Sequence, residues 1–160
     1  MKEIVCNREP SSQEGGSPLF IKCRNQALVY LGIREHNRKE IFTKLRAKGY
    51  ESDLIDSVLD SLSEDGSLSE ERYVRSFIRS SNRRHPEGRS VMARRLAAKG
   101  AEREVCETVL DEVYTDDYVM SLVRQAREAV ERKGKAQTDE EIRFCLKKLG
   151  FSGKDIGLDG

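Results

Sequence analysis

The sequence contains no tryptophan, and its four cysteines stand far apart. Cys6, Cys23, Cys106 and Cys145 form no C-x-x-C pair and have no histidine at metal-ligand spacing, which indicates reduced thiols rather than a disulfide framework or a zinc site. No apolar run approaches the roughly 18 residues that a membrane span needs. The N-terminal stretch MKEIVCNREP lacks the apolar core of an export signal. These absences predict a cytoplasmic protein without a membrane partner.

Catalytic and cofactor signatures are missing as well. There is no G-x-x-x-x-G-K-[ST] for nucleotide phosphates and no G-x-G-x-x-G after a strand. His36 and His85 stand in polar stretches between predicted helices, without a partner at catalytic or metal spacing, so we interpret both as exposed turn residues. The carboxylates of residues 51–71 fall mostly on the outside of a predicted helix. We therefore expect no enzyme activity, no cofactor, no metal site and no small-molecule substrate.

What the sequence does contain is an internal repeat. Residues 44–59, KLRAKGYESDLIDSVL, align without a gap with residues 95–110, RLAAKGAEREVCETVL, and seven of the sixteen positions are identical. A weaker third copy, CLKKLGFSGKDI, places Leu146 on Leu96 and Gly150 on Gly100. Self-similarity at a fixed period indicates a tandem-repeat architecture.

Each copy has the apolar periodicity of three short helices, and residues typical of helix starts and helix ends stand between the apolar stretches. Gly49 and Gly66 are each predicted to end a helix, because glycine readily adopts the left-handed conformation found there. Cys106 and Cys145 fall on apolar helix faces and are expected to be small core residues. The predicted N-terminal caps are Asn37 with Glu40, Ser52, and Thr138 with Glu141.

These patterns predict an all-α fold of tandem three-helix repeats, in three copies of which the last is truncated, arranged as an elongated, curved array. A module of about 50 residues can hardly bury its apolar faces alone, so neighbouring copies should stack. The predicted organisation is a flexible N-terminal tail at residues 1–20, helical repeat 1 at 21–66, repeat 2 at 67–114 and repeat 3 at 115–160, whose final helix is cut short.

Charge is segregated along the chain, although the net charge is only +1. Residues 22–48 hold eight Lys or Arg against two Glu, whereas residues 51–71 hold eight acidic residues and no base. Residues 72–103 hold ten bases against two Glu, and residues 104–118 hold six acidic residues and no base. The first two helices of each of these modules are therefore basic and the third is acidic. Such runs can be solvated faces, can pair with each other, or can bind a partner.

Arginine is concentrated in the second basic segment. Arg72, Arg75 and Arg79 lie at i, i+3 and i+7 on one helical face, which Arg83 continues. A guanidinium is a planar, forked donor suited to carboxylates and phosphates, whereas lysine would suffice for solubility. We predict an acidic partner for this segment, and the sequence alone leaves both phosphate and protein carboxylates open. The predicted contact residues are Arg72, Arg75, Arg79, Arg83, Arg84, Arg89, Arg94, Arg95 and Lys99.

The ordered set of motifs resembles the RecX family of bacterial regulators of the RecA recombinase. Residues 27–50, ALVYLGIREHNRKEIFTKLRAKGY, look like the opening pattern of that family. DSLSEDGSLSEERYVRSFIRS is similar to its L-x-x-x-G-x-L-x-[DE]-x-R-[FY]-x-x-x-[FY] segment, and RRHPEGRSVMARRLAAKG to its G-x-x-x-[IM]-x-x-x-L-x-x-K-G segment. The likeness runs from Ala27 to Ile156, with Ala101 in place of the bulky apolar residue expected after K-G.

The resemblance implies a modulator that lies in the groove of the RecA filament on DNA and restrains filament growth, strand exchange, ATP turnover and the coprotease role in DNA repair. The implied partners are the RecA filament and single- or double-stranded DNA. A repeat array without a further apolar face suggests a monomer. The alternative is a protein that binds DNA directly, because three-helix modules with a basic second element can enter a groove.

Overall fold

The computed structural model describes residues 16–134 and 136–157. These residues form eight α-helices and no β-strand, which confirms the all-α prediction. Within the same ranges, no helix has both the length and the apolar composition needed to cross a bilayer. In chain order the helices are α1 (Pro18–Ile33), α2 (Arg38–Ala47), α3 (Ser52–Glu64), α4 (Glu70–Arg84), α5 (Arg89–Lys99), α6 (Arg103–Val113), α7 (Asp116–Arg132) and α8 (Asp139–Lys148).

The first helix begins inside the segment that the sequence assigned to a tail. The Ser17 hydroxyl accepts a hydrogen bond from the Phe20 N–H at 3.1 Å, and Pro18 opens the helix, where its missing N–H costs nothing. Phe20 is buried. Residues 18–20 are therefore helical, and residues 1–15 of the predicted tail, including Cys6, lie outside the described residues.

The chain divides into two compact units. The first contains the described residues up to Arg34 together with Glu40–Leu68, and the second contains Glu35–Lys39 together with the described residues from Ser69 onward. The first unit has one core, to which α3 contributes a stripe at i, i+3, i+4 and i+7. Its buried residues are Phe20, Cys23, Ala27, Ile41, Leu45, Ile55, Val58, Leu59, Leu62 and Leu68.

The start of α3 corrects a sequence prediction. Ser52 was expected to cap this helix from outside, but it is the first helical residue, and the N-cap position belongs to Glu51, whose side chain makes no capping hydrogen bond. Asp53 in the first turn still places a negative charge at the positive end of the helix dipole. The helix therefore starts one residue earlier than the N-cap preference of serine predicts.

The second unit has two cores in succession, in agreement with a second and a third copy of the repeat. The first joins α4, α5 and α6, and the second joins α7, α8 and the turn that follows. Cys106 is buried in the first of these cores, and Cys145 is half-buried beside the second. The buried residues are Tyr73, Val74, Ile78, Met92, Leu96, Cys106, Val109 and Leu110 in one, and Leu122, Ala126, Val130, Ala136, Ile142, Leu146 and Phe151 in the other.

The segment predicted as the third copy has two helices and the beginning of a third within the described residues. The capping box predicted for α8 is confirmed, since Thr138 accepts from the Glu141 N–H while the Glu141 carboxylate accepts from the Thr138 N–H. After Phe151, Ser152 and Asp155 exchange reciprocal side-chain hydrogen bonds of 2.7 and 3.2 Å, as at a helix start. Only turns follow, up to residue 157.

Two backbones meet where the start of α5 contacts the end of α8. The Gly88 N–H donates to the Leu149 carbonyl at 2.8 Å, and the Ser90 hydroxyl donates to the Gly150 carbonyl at 2.9 Å. A Cβ atom on Gly88 would stand 2.2 Å from the Gly150 carbonyl carbon, and one on Gly150 would stand 2.6 Å from Val91 Cγ2. Gly150 also has φ +90°, which favours glycine. Both glycines are needed for this junction.

A second junction, made by side chains, begins at Asn37, 51 residues before Gly88. The Asn37 side-chain amide donates to the Lys99 carbonyl at 3.0 Å, and a Cβ atom on Gly100 would come within 2.3 Å of Lys39 Cδ. His36, predicted to be an exposed turn residue, is only 1% exposed, because the segment 35–39 packs against the turn after α5. That prediction is wrong, whereas His85 is exposed as predicted.

We expect Leu45→Ala and Leu96→Ala each to lower the free energy of unfolding by about 2–5 kcal/mol, because both side chains are fully buried at equivalent repeat positions. Urea denaturation followed by circular dichroism measures the change. Unchanged midpoints would contradict the assigned packing.

We expect Gly88→Ala to destabilise the protein by about 1–3 kcal/mol, because the added methyl group meets backbone atoms that no side-chain rotation can move. The matched control is Gly32→Ala, where no atom lies within 4 Å and alanine should raise stability by up to about 1 kcal/mol. Thermal melts of the two variants should shift in opposite directions, and a shift in the same direction would contradict the close approach.

Candidate partner-binding surface

The predicted arginine stripe lies on the outer face of α4. Ser69 begins this helix by accepting a hydrogen bond from the Arg72 N–H, and Glu70 and Glu71 stand in its first turn. The inner face is apolar. Its buried residues are Tyr73, Val74, Ile78 and Asn82, so the stripe Arg72, Arg75, Arg79 and Arg83 is directed outward.

The first two arginines of the stripe are engaged in ion pairs. Arg72 donates to the Glu35 carboxylate at 3.0 Å, and Arg75 bridges Glu71, at 2.9 Å, and Glu112 of α6. The hydrogen bonds to Glu71 and then to Glu112 raise the pKa of Arg75 above its ordinary value. These guanidiniums already have carboxylate partners within the chain.

Two arginines associated with α5 are paired in the same way. Arg89 donates to Glu107 at 2.7 Å and to Asp111, both on α6, and these hydrogen bonds raise the pKa of Arg89. Arg95 donates to the Glu87 carboxylate at 2.6 Å, and its guanidinium lies 5.2 Å from the centre of the Phe77 ring. Part of the charge segregation along the sequence is therefore resolved by pairing inside the second repeat.

The remaining residues of the predicted set are exposed, and within the described ranges they make no ion pair. They are Arg79, Arg83 and Arg84 on α4, and Arg94 and Lys99 on α5. Arg79 and Arg83 lie one helical turn apart on the same face. The structure thus divides the nine predicted residues into four that are paired inside the chain and five whose charge faces solvent.

A shallow groove of about 460 Å³ runs along the stripe. Arg72, Arg75 and Arg79 form its basic side, and Glu35, Val113 and Tyr118 complete its wall. The sequence did not indicate the last three, because they come from the segment before α2, the end of α6 and the start of α7. Only the tertiary fold brings these stretches together, so no local pattern could have identified them.

A buried amide holds the end of α4 in place. The Asn82 side chain donates to the hydroxyls of Tyr114, at 3.0 Å, and Tyr118, at 3.1 Å, and accepts from the Glu87 N–H at 3.0 Å. Tyr114 in turn donates to the Glu87 carbonyl at 3.1 Å. Burial, the largest cause, raises the pKa of Tyr114 from 10.0 to about 12. This network fixes the chain just beyond Arg83 and Arg84.

We expect Tyr114→Phe to destabilise the protein by about 1–3 kcal/mol, because the Glu87 carbonyl loses its donor and Asn82 loses an acceptor. In the wild type, the neutral Tyr114 phenol stabilises the fold fully below about pH 10. This contribution is lost as pH rises toward 12, through the raised pKa. Denaturation at pH 8 and an alkaline unfolding titration test both statements, with Tyr50→Phe as the control. Equal behaviour of the two variants would contradict the network.

Comparison with known proteins identifies the family. The family model for the first three-helix domain of RecX matches residues 23–62. The chain is 31% identical over 134 residues to the regulatory protein RecX of Pelodictyon phaeoclathratiforme, which covers 81% of each protein. It is 35% identical over 128 residues to the regulatory protein RecX of Halorhodospira halophila, which covers 80% of this chain and 76% of that one.

Two solved structures have the same fold. The crystal structure of RecX from Lactobacillus salivarius matches with a TM-score of 0.73 at 25% identity, over 86% of this chain and 92% of that chain. A crystal structure of regulatory protein RecX matches with a TM-score of 0.74 at 17% identity, over 87% of this chain and 70% of that chain, which supports the fold alone. With the relatives above, these similarities establish that the chain belongs to the RecX family of regulatory proteins.

Proposed function

We propose that this chain regulates the RecA recombinase by binding the groove of the RecA filament on DNA, and that it mainly inhibits the recombinase, ATPase and coprotease activities during DNA repair. Membership of the RecX family supports a regulatory role directed at RecA. On this proposal the protein acts in the cytoplasm as a monomer, with the filament as its partner and without chemistry of its own.

The observation that carries the proposal is the set of open guanidiniums on α4. Arg79, Arg83 and Arg84 project from a helix whose inner face is fixed by the core and by the Asn82 network. Their donors are therefore held by a rigid element, and they have no carboxylate partner among the described residues. A surface of this kind suits an acidic polymer, which offers carboxylates or phosphates along its length.

The repeated architecture adds to the strength of such binding. Each module presents basic side chains, so one contact raises the effective concentration of the next along a polymer. Arg94 and Lys99 on α5 supply a second cluster of open charge beside the α4 stripe. The paired residues Arg72, Arg75, Arg89 and Arg95 then serve mainly to orient α4 and α5 rather than to contact the filament.

We expect Arg79→Glu combined with Arg83→Glu to weaken binding to RecA filaments on single-stranded DNA by about tenfold or more, because two charge-assisted contacts become repulsive. Inhibition of the RecA ATPase should fall in parallel, with helicity unchanged. The measurements are co-sedimentation with the filaments and ATP turnover at matched salt.

The control is Arg124→Glu combined with Arg143→Glu, which makes the same change of charge at exposed positions on α7 and α8. This control should weaken binding and inhibition much less than the α4 variant does. Full inhibition by the α4 variant would refute the assignment of the surface. Equal binding to DNA without RecA, with a steep salt dependence, would favour the direct DNA-binding alternative.

A further inference from the structure

We infer that a small apolar pocket in the second unit binds one large apolar side chain from an acidic polypeptide segment. The inference rests on the proposed function and deepens it, because it states what kind of partner sequence the α4 surface takes. The pocket begins where the arginine stripe ends, since α4 terminates at Arg84 and the next two residues, His85 and Pro86, line the pocket.

The inside of the pocket is apolar. Its volume is about 220 Å³, and the opposite wall comes from Ala126, Ala129 and Val130 of α7 and from Leu149 after α8. No Asp or Glu is among the residues that line it. An uncovered apolar concavity therefore lies between the loop after α4 and the two helices of the third copy.

The size of the pocket selects the class of occupant. Sites for drug-sized small molecules usually measure roughly 300–1,000 Å³, and this pocket is smaller. It is suited to a single phenylalanine or leucine side chain, and such an anchor would come from a polypeptide segment lying over the rim. Ala129, whose side chain is short, is one of the residues that line the pocket.

The charge of the rim selects the sequence around the anchor. Lys133 follows the last residue of α7 and Lys148 ends α8, so two ammonium groups stand at the pocket, with the exposed His85 beside them. The Lys148 ammonium lies 4.4 Å from the centre of the Phe144 ring, which holds it in place. Aspartate or glutamate next to the anchor would meet these groups, and residues further along would reach Arg83 and Arg84.

The geometry thus describes one continuous site for an extended acidic segment. Charge along α4 and at the pocket rim attracts the segment, and the pocket receives its apolar side chain. Nucleic acid lacks a side chain of this kind, so the pocket favours the polypeptide of a protein–DNA filament over its phosphates. This feature separates protein recognition from the electrostatic binding that any polyanion would give.

The test uses two fluorescein-labelled pentapeptides, DDFDD and DDADD, with the full-length protein in fluorescence anisotropy titrations. We expect DDFDD to bind about tenfold more tightly than DDADD, because only the first buries an aromatic ring. Ala129→Leu, which fills the pocket, should remove this preference. Lys133→Glu with Lys148→Glu should weaken the binding of both peptides, whereas Lys147→Glu with Lys154→Glu, outside the pocket, should have less effect.

The same Ala129→Leu variant is then sedimented with RecA filaments on single-stranded DNA. Weaker binding than the wild type supports the inference, and unchanged binding, or equal affinity for the two peptides, overturns it while leaving the proposed function intact. Failure of the wild-type protein to bind filaments would instead remove the proposed function, and the peptide preference would still decide whether the pocket takes an anchor. If Ala129→Leu lowers the melting temperature strongly, the inference is tested instead by comparing the two lysine double variants, and equal peptide binding by both overturns it.

Discussion

The second unit depends on a close approach of two stretches of backbone, which Gly88 and Gly150 make possible. There the Gly88 N–H donates a hydrogen bond to the carbonyl of Leu149, the residue before Gly150. The start of α5 is thereby fixed to the end of α8 by a direct contact between backbone atoms. A related contact, made by side chains, occurs where the Asn37 amide bonds to the Lys99 carbonyl and the Lys39 side chain covers Gly100. In both places, the turn after the second helix of one copy contacts a segment earlier in the chain. These turns are Lys99-Gly100 after α5 and Leu149-Gly150 after α8.

Ion pairing inside the second unit explains why a chain with so many charged residues exposes only part of its charge to possible partners. Carboxylates of α6 accept from Arg75 and Arg89, so the acidic third helix of the second copy neutralises arginines of the first two helices. These pairs are exposed, and such pairs contribute little to stability. The pairs leave fewer guanidiniums directed at solvent than the sequence suggests.

Periodicity and capping rules predicted the helical class, the capping box at Thr138 and the glycines that follow α2 and α3, because each depends on residues close together in the sequence. They did not predict the ion pairs of Arg75 with Glu112 or the burial of His36, since these depend on partners tens of residues away. Ser52 shows a smaller failure. There the polar residue joined the helix, and Glu51 took the position outside it. The groove along α4 was only half predictable, because one wall belongs to other elements.

The capping box of α8 has a consequence for how copies can be added. At the start of α5, the Gly88 N–H is satisfied by the turn of a following copy, whereas at the start of α8 the N–H groups of Gln137 and Thr138 both bond to the Glu141 carboxylate, at 2.7 and 3.1 Å. The N–H of Thr138, which corresponds to the Gly88 N–H, is therefore already bonded to the Glu141 carboxylate. A further Lys-Gly or Leu-Gly turn would therefore need a different donor at this position, such as the side-chain amide that Asn37 supplies before α2.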